Sequence, residues 1–248
     1  MIKEERRRKK NLIMYAKGFF AAVVTGLILG AVICGVFVVK DVKIEGNELY
    51  DQAVIEQAIL DDDYCWNSLY VFLKYRFRPT EEIPFIDSME ITLQSPHKIC
   101  IHVYEKVMMG YLYIPGIGEN AYFDKDGFVV ETSSRIIKDV PKIEGITCNE
   151  VVLYEKLPIN SAKLREILTL TQTLKREELI PDVITYGIPQ EPQVSYQKIR
   201  VLIGDTDELT RKVERMDKIL DKLEGKSGVL HLENWTEETT NIVFDEDL

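Results

Sequence analysis

The sequence predicts a single-pass membrane protein whose external part has an α+β fold. Three observations predict it: one long uncharged apolar run, opposite charge on its two sides, and alternating apolar segments interspersed with helical apolar patterns. Of the 248 residues, 46% are hydrophobic and 29% charged, so the chain is neither disordered nor collagen-like. This length allows one or two globular domains beside the membrane segment.

The apolar run covers residues 18–39 and contains 22 residues without a charge. A bilayer core of about 30 Å needs about 20 apolar residues in a helix, so the run is long enough to span it. A cleaved signal peptide is the alternative, but its apolar stretch is about 7–15 residues long and ends in small residues. Here the run ends in the bulky residues Val36-Phe37-Val38-Val39, so we expect an uncleaved transmembrane helix.

The charge on the two sides of this run predicts its orientation. Residues 1–40 contain eight Lys/Arg and two Asp/Glu, whereas residues 41–248 contain 23 Lys/Arg and 39 Asp/Glu. Basic flanks stay in the cytoplasm, so we expect a type II protein with a cytoplasmic tail, 1–17, and with 41–248 outside the membrane. The acidic exterior argues against nucleic acid and against docking on anionic lipid. The expected lipid contact is the transmembrane helix itself.

The first external region has the predicted order strand–helix–helix–strand–strand. A strand begins at residue 41, helical patterns cover 51–60 and 68–75, and strands cover 85–94 and 99–106. Both helices can cover one face of a three-stranded sheet, which gives a two-layer core. We expect that core to contain Ile44, Ile55, Ile59, Met89, Ile91, Ile101 and Val103.

The second external region is rich in short predicted strands. They cover 111–114, 121–124, 128–131, 183–187, 194–203 and 229–232, with a hairpin turn at Lys125-Asp126-Gly127. Amphipathic patterns predict helices at 161–178 and 206–224, the second capped by Asp205 or Thr206 and ended by Gly225. Residues 233–248 contain six acids and no Lys or Arg, and we expect them to form an acidic C-terminal tail.

The sequence offers few residues for catalysis. It has no Gly-x-Ser-x-Gly, no Walker loop and no His-Glu-x-x-His, and only three histidines. Cys100 and His102 would share one face of a strand and could share a metal, but no partner pair with zinc spacing accompanies them. They are otherwise surface residues of a strand. We therefore predict no catalytic residue, no cofactor and no metal site, and a binding protein rather than an enzyme.

Several segments, in a fixed order along the chain, resemble the FtsQ/DivIB family of bacterial cell-division proteins. They are Val42-Lys43-Ile44-Glu45-Gly46-Asn47, Ile99-x-Ile101-x-Val103-x-Glu105-Lys106, Tyr122-Phe123-Asp124-Lys125-Asp126-Gly127, Val140-Pro141-Lys142-Ile143-Glu144-Gly145, Arg200-Val201-Leu202-Ile203-Gly204 and Gly228-Val229-Leu230-His231-Leu232. The chain departs from the family at His231-Leu232-Glu233, where an Asp-Leu-Arg is common. That difference affects which side chains meet a partner.

The resemblance implies a domain organisation and a role. It implies a POTRA domain of β-α-α-β-β order at 40–108 after the transmembrane helix 18–39, then a β-rich domain with two amphipathic helices at 109–232. The protein would be a non-enzymatic divisome scaffold at the division septum. It would bind FtsB/DivIC-like and FtsL-like bitopic proteins and help recruit and regulate the septal peptidoglycan synthase complex. A membrane-anchored POTRA chaperone or export subunit is the alternative, and an anchored cell-wall hydrolase would lack catalytic residues.

The expected partner-binding residues lie at the last predicted strand. If Leu230 and Leu232 face the core, then Val229, His231 and Glu233 point the other way, with Trp235 just beyond. No further strand is evident after residue 232, so this strand is expected to leave an open edge to which a partner can add a strand. Trp235 either anchors that partner or merely covers the rim of the sheet.

Overall fold

A computed structural model describes the backbone of residues 2–187, 191–239 and 241–247, and side chains from residue 13 onward. The chain forms two compact units, Met1–Glu105 and Lys106–Leu248. Each unit is described by itself below. Both combine helices with a β-sheet, which confirms the predicted α+β class.

The first unit begins with a long helix, α1 (Ile2–Val36). Its segment Ile13–Val36 has 24 residues and is the one helix within the described residues that is long and apolar enough to cross a membrane. The helix ends three residues before the predicted boundary at Val39. Its end is set by hydrogen bonds to the globular part of the unit: the Phe37 carbonyl accepts from the Ser68 N–H at 3.1 Å, and the Val39 N–H donates to the Trp66 carbonyl at 2.8 Å.

The rest of the first unit has the predicted element order. Its elements are β1 (Asp41–Glu45), α2 (Gln52–Ile59), α3 (Ser68–Phe77), β2 (Ile86–Ser95) and β3 (Lys98–Glu105). β3 is the central strand, parallel to β1 and antiparallel to β2. Asn67 caps α3, because its side chain accepts a hydrogen bond from the Tyr70 N–H at 2.9 Å.

The core of this unit is the predicted one. Its buried members include Ile44, Ile55, Ile59, Ile91, Ile101 and Val103, and Met89 packs against them while partly exposed. The register of β2 and β3 explains why these residues share one core, because Ile91 pairs with Ile101 and Met89 with Val103 on the face that the helices cover.

The second unit is built on a nine-stranded sheet. Its strands are β4 (Gly110–Ile114), β5 (Glu119–Phe123), β6 (Val129–Ser133), β7 (Lys142–Glu144), β8 (Val183–Thr185), β9 (Gln193–Tyr196), β10 (Ile199–Leu202), β11 (Gly228–His231) and β12 (Val243–Glu246). They lie in the order β12-β11-β10-β9-β8-β7-β4-β5-β6. Two helices, α4 (Ser161–Arg176) and α5 (Leu209–Leu220), contribute buried residues to the same core as the strands.

Three local predictions for this unit are wrong. The strand predicted at 194–203 is a hairpin, because the chain turns at Gln197, whose N–H donates to the Asp182 carboxylate at 2.6 Å. Neither Asp205 nor Thr206 caps α5, because the helix begins only at Leu209, and the Asp205 carboxylate instead accepts from the Lys212 ammonium at 2.9 Å. The residue that precedes α5 is Glu208, in the left-handed conformation. Finally, residues 243–246 of the predicted tail form β12.

Candidate partner-binding site

The expected site lies at β11, but β11 is not the edge of the sheet. It runs parallel to β10 on one side and pairs antiparallel with β12 on the other, with His231 opposite Val243 and Gly228 opposite Glu246. The prediction of an open edge at 229–232 is therefore wrong. Among the described strands, the edge at this end of the sheet belongs to β12.

Glycine at position 228 allows β12 to come this close. A Cβ added to Gly228 would lie 2.2 Å from the backbone oxygen of Asp245 and 3.0 Å from the Cα of Glu246. No side chain fits in that space, because real Cβ atoms do not approach a backbone oxygen so closely. The pairing of β11 with β12 thus depends on a residue without a Cβ.

The side chains of β11 alternate as predicted. Leu230 and Leu232 are 1% and 0% exposed and belong to the core of the second unit. Val229 and His231 lie on the other face and are partly exposed. The register therefore places His231 where a partner could reach it.

His231 on β11 contacts one carboxylate with each of its two ring nitrogens. Its Nδ1 lies 2.9 Å from the Glu233 carboxylate, and its Nε2 lies 3.2 Å from the carboxylate of Asp245 on β12. The hydrogen bond that His231 donates to Glu233 is the main reason why the pKa of His231 is raised above its ordinary value, and the charge of Asp245 adds to it. A protonated His231 can donate to both carboxylates and so holds β12 to β11.

The two carboxylate oxygens of Glu233 differ in their contacts. Its side chain is 15% exposed, and its Oε1 meets His231, whereas its Oε2 is buried and has no hydrogen-bond partner among the described residues. An ionised oxygen that is shielded from water without a partner is costly. This oxygen can accept a hydrogen bond from an incoming group only when neighbouring side chains move to expose it.

Trp235 is buried rather than exposed. Only 8% of it is accessible, and it packs within the core of the second unit. Its backbone N–H donates to the Leu232 carbonyl at 3.1 Å, which turns the chain over the end of β11. The structure thus favours the second interpretation of Trp235, in which it covers the rim of the sheet. One edge of it still lines a surface depression of about 300 Å³ together with His231, Glu233, Asn234, Asn241 and Asp245.

Sequence reasoning missed β12 and with it Val243 and Asp245. The signal was short: Ile242-Val243-Phe244 is an apolar run of three residues in an otherwise acidic segment. A run this short falls below the length at which alternation identifies a strand.

Two groups of possible metal ligands lie in the first unit. The first joins Glu45 to the predicted pair Cys100 and His102, and the second comprises Asp61, Asp62 and Cys65. The carboxylates of both groups already form ion pairs with lysines. Lys43 binds Glu45, and Lys74 binds both aspartates.

The pKa values of these groups also disfavour metal binding. The hydrogen bond from Lys74 is the main reason why the pKa of Asp62 lies well below its usual range. Burial raises the pKa of the Cys100 thiol and, in the second group, of the Cys65 thiol, which disfavours the thiolate that a metal would need. The absence of a metal site stays a prediction.

Comparison with known proteins gives one curated relative. The chain is 22% identical over 190 residues to the cell division protein DivIB of Clostridium tetani (strain Massachusetts / E88). The match covers 74% of this chain and 70% of that protein. No family model matches the chain. The relationship to DivIB confirms the resemblance to the FtsQ/DivIB family and supports a role in cell division.

Proposed function

We propose that this chain is a membrane-anchored cell-division protein that acts by binding other division proteins outside the membrane. The relationship to DivIB over 74% of the chain carries this proposal. The protein would be a non-enzymatic scaffold that helps recruit and regulate septal peptidoglycan synthesis. Its partners would be FtsB/DivIC-like and FtsL-like bitopic proteins together with the septal synthase complex.

The proposed topology is type II, with the N-terminus in the cytoplasm and residues 41–248 outside. The long apolar segment Ile13–Val36 supports the anchor, and the basic charge before it supports the direction. The order β-α-α-β-β in the first unit is the order of a POTRA domain. We propose that residues 40–108 form that domain and that 109–232 form the β domain, which β12 extends.

The proposed partner-binding site comprises the outer edge of β12 and the depression beside it. An edge strand offers unpaired backbone N–H and C=O groups, so an extended partner segment can pair with it. Val229, His231, Glu233 and Trp235 remain part of this site, but in different roles. His231, Glu233 and the largely buried Trp235 line the depression, whereas Val229 lies on the same face of β11 as His231.

The charges at this edge define the chemistry of the partner. Asp245 and Glu246 keep 70% and 55% of their side chains exposed, and the buried Oε2 of Glu233 lacks a partner among the described residues. A lysine or arginine side chain on the incoming segment would meet the exposed acids, and it would reach that oxygen only after the side chain of Glu233 had moved. We therefore propose that the partner contributes a strand with a basic residue near the end of β11.

The proposed role is tested by localisation and depletion in the bacterium that encodes the chain. A fluorescent fusion should concentrate at midcell, and depletion should give filamentous cells, because septal synthesis would lose its scaffold. A matched variant that ends at residue 239 keeps the anchor and the first unit but lacks β12. It should reach the membrane yet fail to restore division. An even membrane distribution with normal division after depletion would contradict the proposal and favour a POTRA chaperone or export subunit.

A further inference from the structure

The exit of α1 is held firmly against the globular part of the first unit. The side-chain amide of Asn67 donates to the Ile33 carbonyl of the helix at 3.0 Å. The segment that follows bonds to residues 66 to 68 through Phe37 and Val39, and the Lys40 N–H donates to the His97 carbonyl at 2.9 Å. Four hydrogen bonds within eight residues leave no free linker between the helix and the domain.

This attachment determines how deep nearby residues lie in the membrane. The uncharged part of the helix, residues 18–36, has 19 residues and is about 28 Å long at about 1.5 Å per residue. That length matches a hydrocarbon core of about 30 Å, so the outer boundary of the core falls near Val36. Trp66 accepts a hydrogen bond from Val39, three residues beyond Val36, through its backbone carbonyl, so it lies just outside this boundary.

Two large aromatic side chains are exposed at this level. Trp66 is 47% exposed and Tyr64 is 64% exposed, although a domain surrounded by water rarely presents such residues together. The ring of Tyr64 lies 5.7 Å from that of Tyr70, which limits its motion. Tryptophan and tyrosine are enriched where a membrane meets water, because each combines an apolar ring with a polar group.

We infer that Tyr64 and Trp66 form a lipid-contacting site on the first unit, which seats in the interface of the outer leaflet beside the exit of α1. The ligand is the glycerol and headgroup region of the lipid. The contact would fix the tilt of the first unit relative to the membrane. The inference rests on the proposed membrane anchor and adds to it a second point of attachment.

The charges nearby indicate what kind of lipid contact this is. Asp61 and Asp62 both bind Lys74, while Asp63 is exposed, so the surroundings of Trp66 carry no positive excess. An anionic headgroup would gain nothing from this surface. Contact through the aromatic rings should therefore be no stronger on anionic than on zwitterionic membranes.

The two tryptophans of the chain, Trp66 and Trp235, allow a direct test in the full-length protein. The protein is reconstituted into phosphatidylcholine vesicles whose acyl chains are brominated near the headgroup, with and without phosphatidylglycerol. The variant Trp235→Phe reports on Trp66 alone, and Trp66→Phe reports on Trp235 alone. We expect Trp66 to lose emission to the brominated lipid, no more strongly with phosphatidylglycerol than without it, and Trp235 to be unaffected because it is buried. If Trp235→Phe folds poorly, the emission of Trp66 is obtained by subtracting the spectrum of Trp66→Phe from that of the parent.

A third variant controls for position. Tyr104 is 51% exposed and lies six residues along β3 from Lys98, about 20 Å from the helix exit at about 3.3 Å per residue. Tyr104→Trp, with both native tryptophans replaced by Phe, should be quenched far less than Trp66. Equal quenching of the two positions, or an unquenched Trp66 in protein that floats with the vesicles, would overturn the lipid contact alone. Protein that does not float with the vesicles would overturn the proposed anchor as well.

Discussion

The two ends of the external chain are attached by different kinds of bond. At the exit of α1, the attachment is made mainly by backbone groups of Phe37, Val39 and Lys40, and the Nδ1 of His97 lies 3.2 Å from the Val38 carbonyl. At the C-terminal edge, β12 is held partly by His231, which lies between two carboxylates, and one oxygen of Glu233 has no partner within the described part of the chain. The first arrangement fixes the end of α1 against the globular part of the first unit. The second has polar groups left to bind something else.

The two tryptophans give the sharpest contrast between these regions. Trp235 is 8% exposed in a core, whereas Trp66 is 47% exposed beside the helix exit. Replacing Trp235 with Ala should lower the free energy of unfolding by about 3–5 kcal/mol, because large buried side chains cost that much to truncate. Trp66→Ala should cost clearly less in a soluble fragment of residues 40–248. Denaturant unfolding measures both, and equal losses would contradict the assigned burial.

Gly228→Ala tests how far the C-terminal edge depends on β12. The added methyl group would collide with the backbone oxygen of Asp245, so β12 should detach or shift at a cost of about 1–3 kcal/mol. Hydrogen exchange should then become fast at the amides of 243–246. A chain that ends at residue 239 is the matched control, and the two variants should unfold at similar denaturant concentrations. Protected amides at 243–246 in the alanine variant would show that the edge tolerates a side chain.

Asn67→Asp tests the helix exit without removing the cap of α3. The carboxylate can still accept from the Tyr70 N–H, but it can no longer donate to the Ile33 carbonyl. The expected loss is about 1 kcal/mol, with faster hydrogen exchange at Val39 and Ser68. Asn160→Asp is the matched control, because Asn160 caps α4 in the second unit and makes no such bond to α1. Slow exchange at Val39 in the Asn67 variant would mean that backbone bonds alone hold the exit.

His231→Gln should reveal the smallest effect, and one that depends on pH. The pKa of His231 is raised in the folded protein, so its ion pairs stabilise the fold fully below the unfolded-state pKa of about 6.5. That contribution is lost as the pH rises through the folded-state pKa. For a partly exposed pair it is at most about 1 kcal/mol. The stability difference between parent and variant, measured by denaturant unfolding, should therefore shrink from acidic to alkaline pH. A difference that does not change with pH would show that the charge of His231 does not stabilise this edge.

The sequence predicted the first unit far better than the C-terminal edge, and the cause is physical. In the first unit, long alternating strands and apolar helix faces identify Ile55, Ile91 and Ile101 as core residues before any contact is known. At the edge, the strand 243–246 has four residues and two acids, so its pairing comes from tertiary contact with Gly228 and not from its own pattern. The exposure of Trp235 likewise depends on how the chain turns after Leu232.

The central claim is that the C-terminal edge binds a division partner, and equilibrium binding tests it most directly. The parent and the variant that ends at residue 239 would be titrated with the external segment of the FtsB/DivIC-like protein from the same bacterium. We expect the truncated variant to bind at least about ten-fold more weakly, a loss of about 1.4 kcal/mol or more. Glu233→Gln should weaken binding by a smaller factor than the truncation. Its effect should be larger with a partner that carries the basic residue than with one in which that residue is replaced. Equal affinity of the parent and the truncated variant, both folded, would contradict the claim.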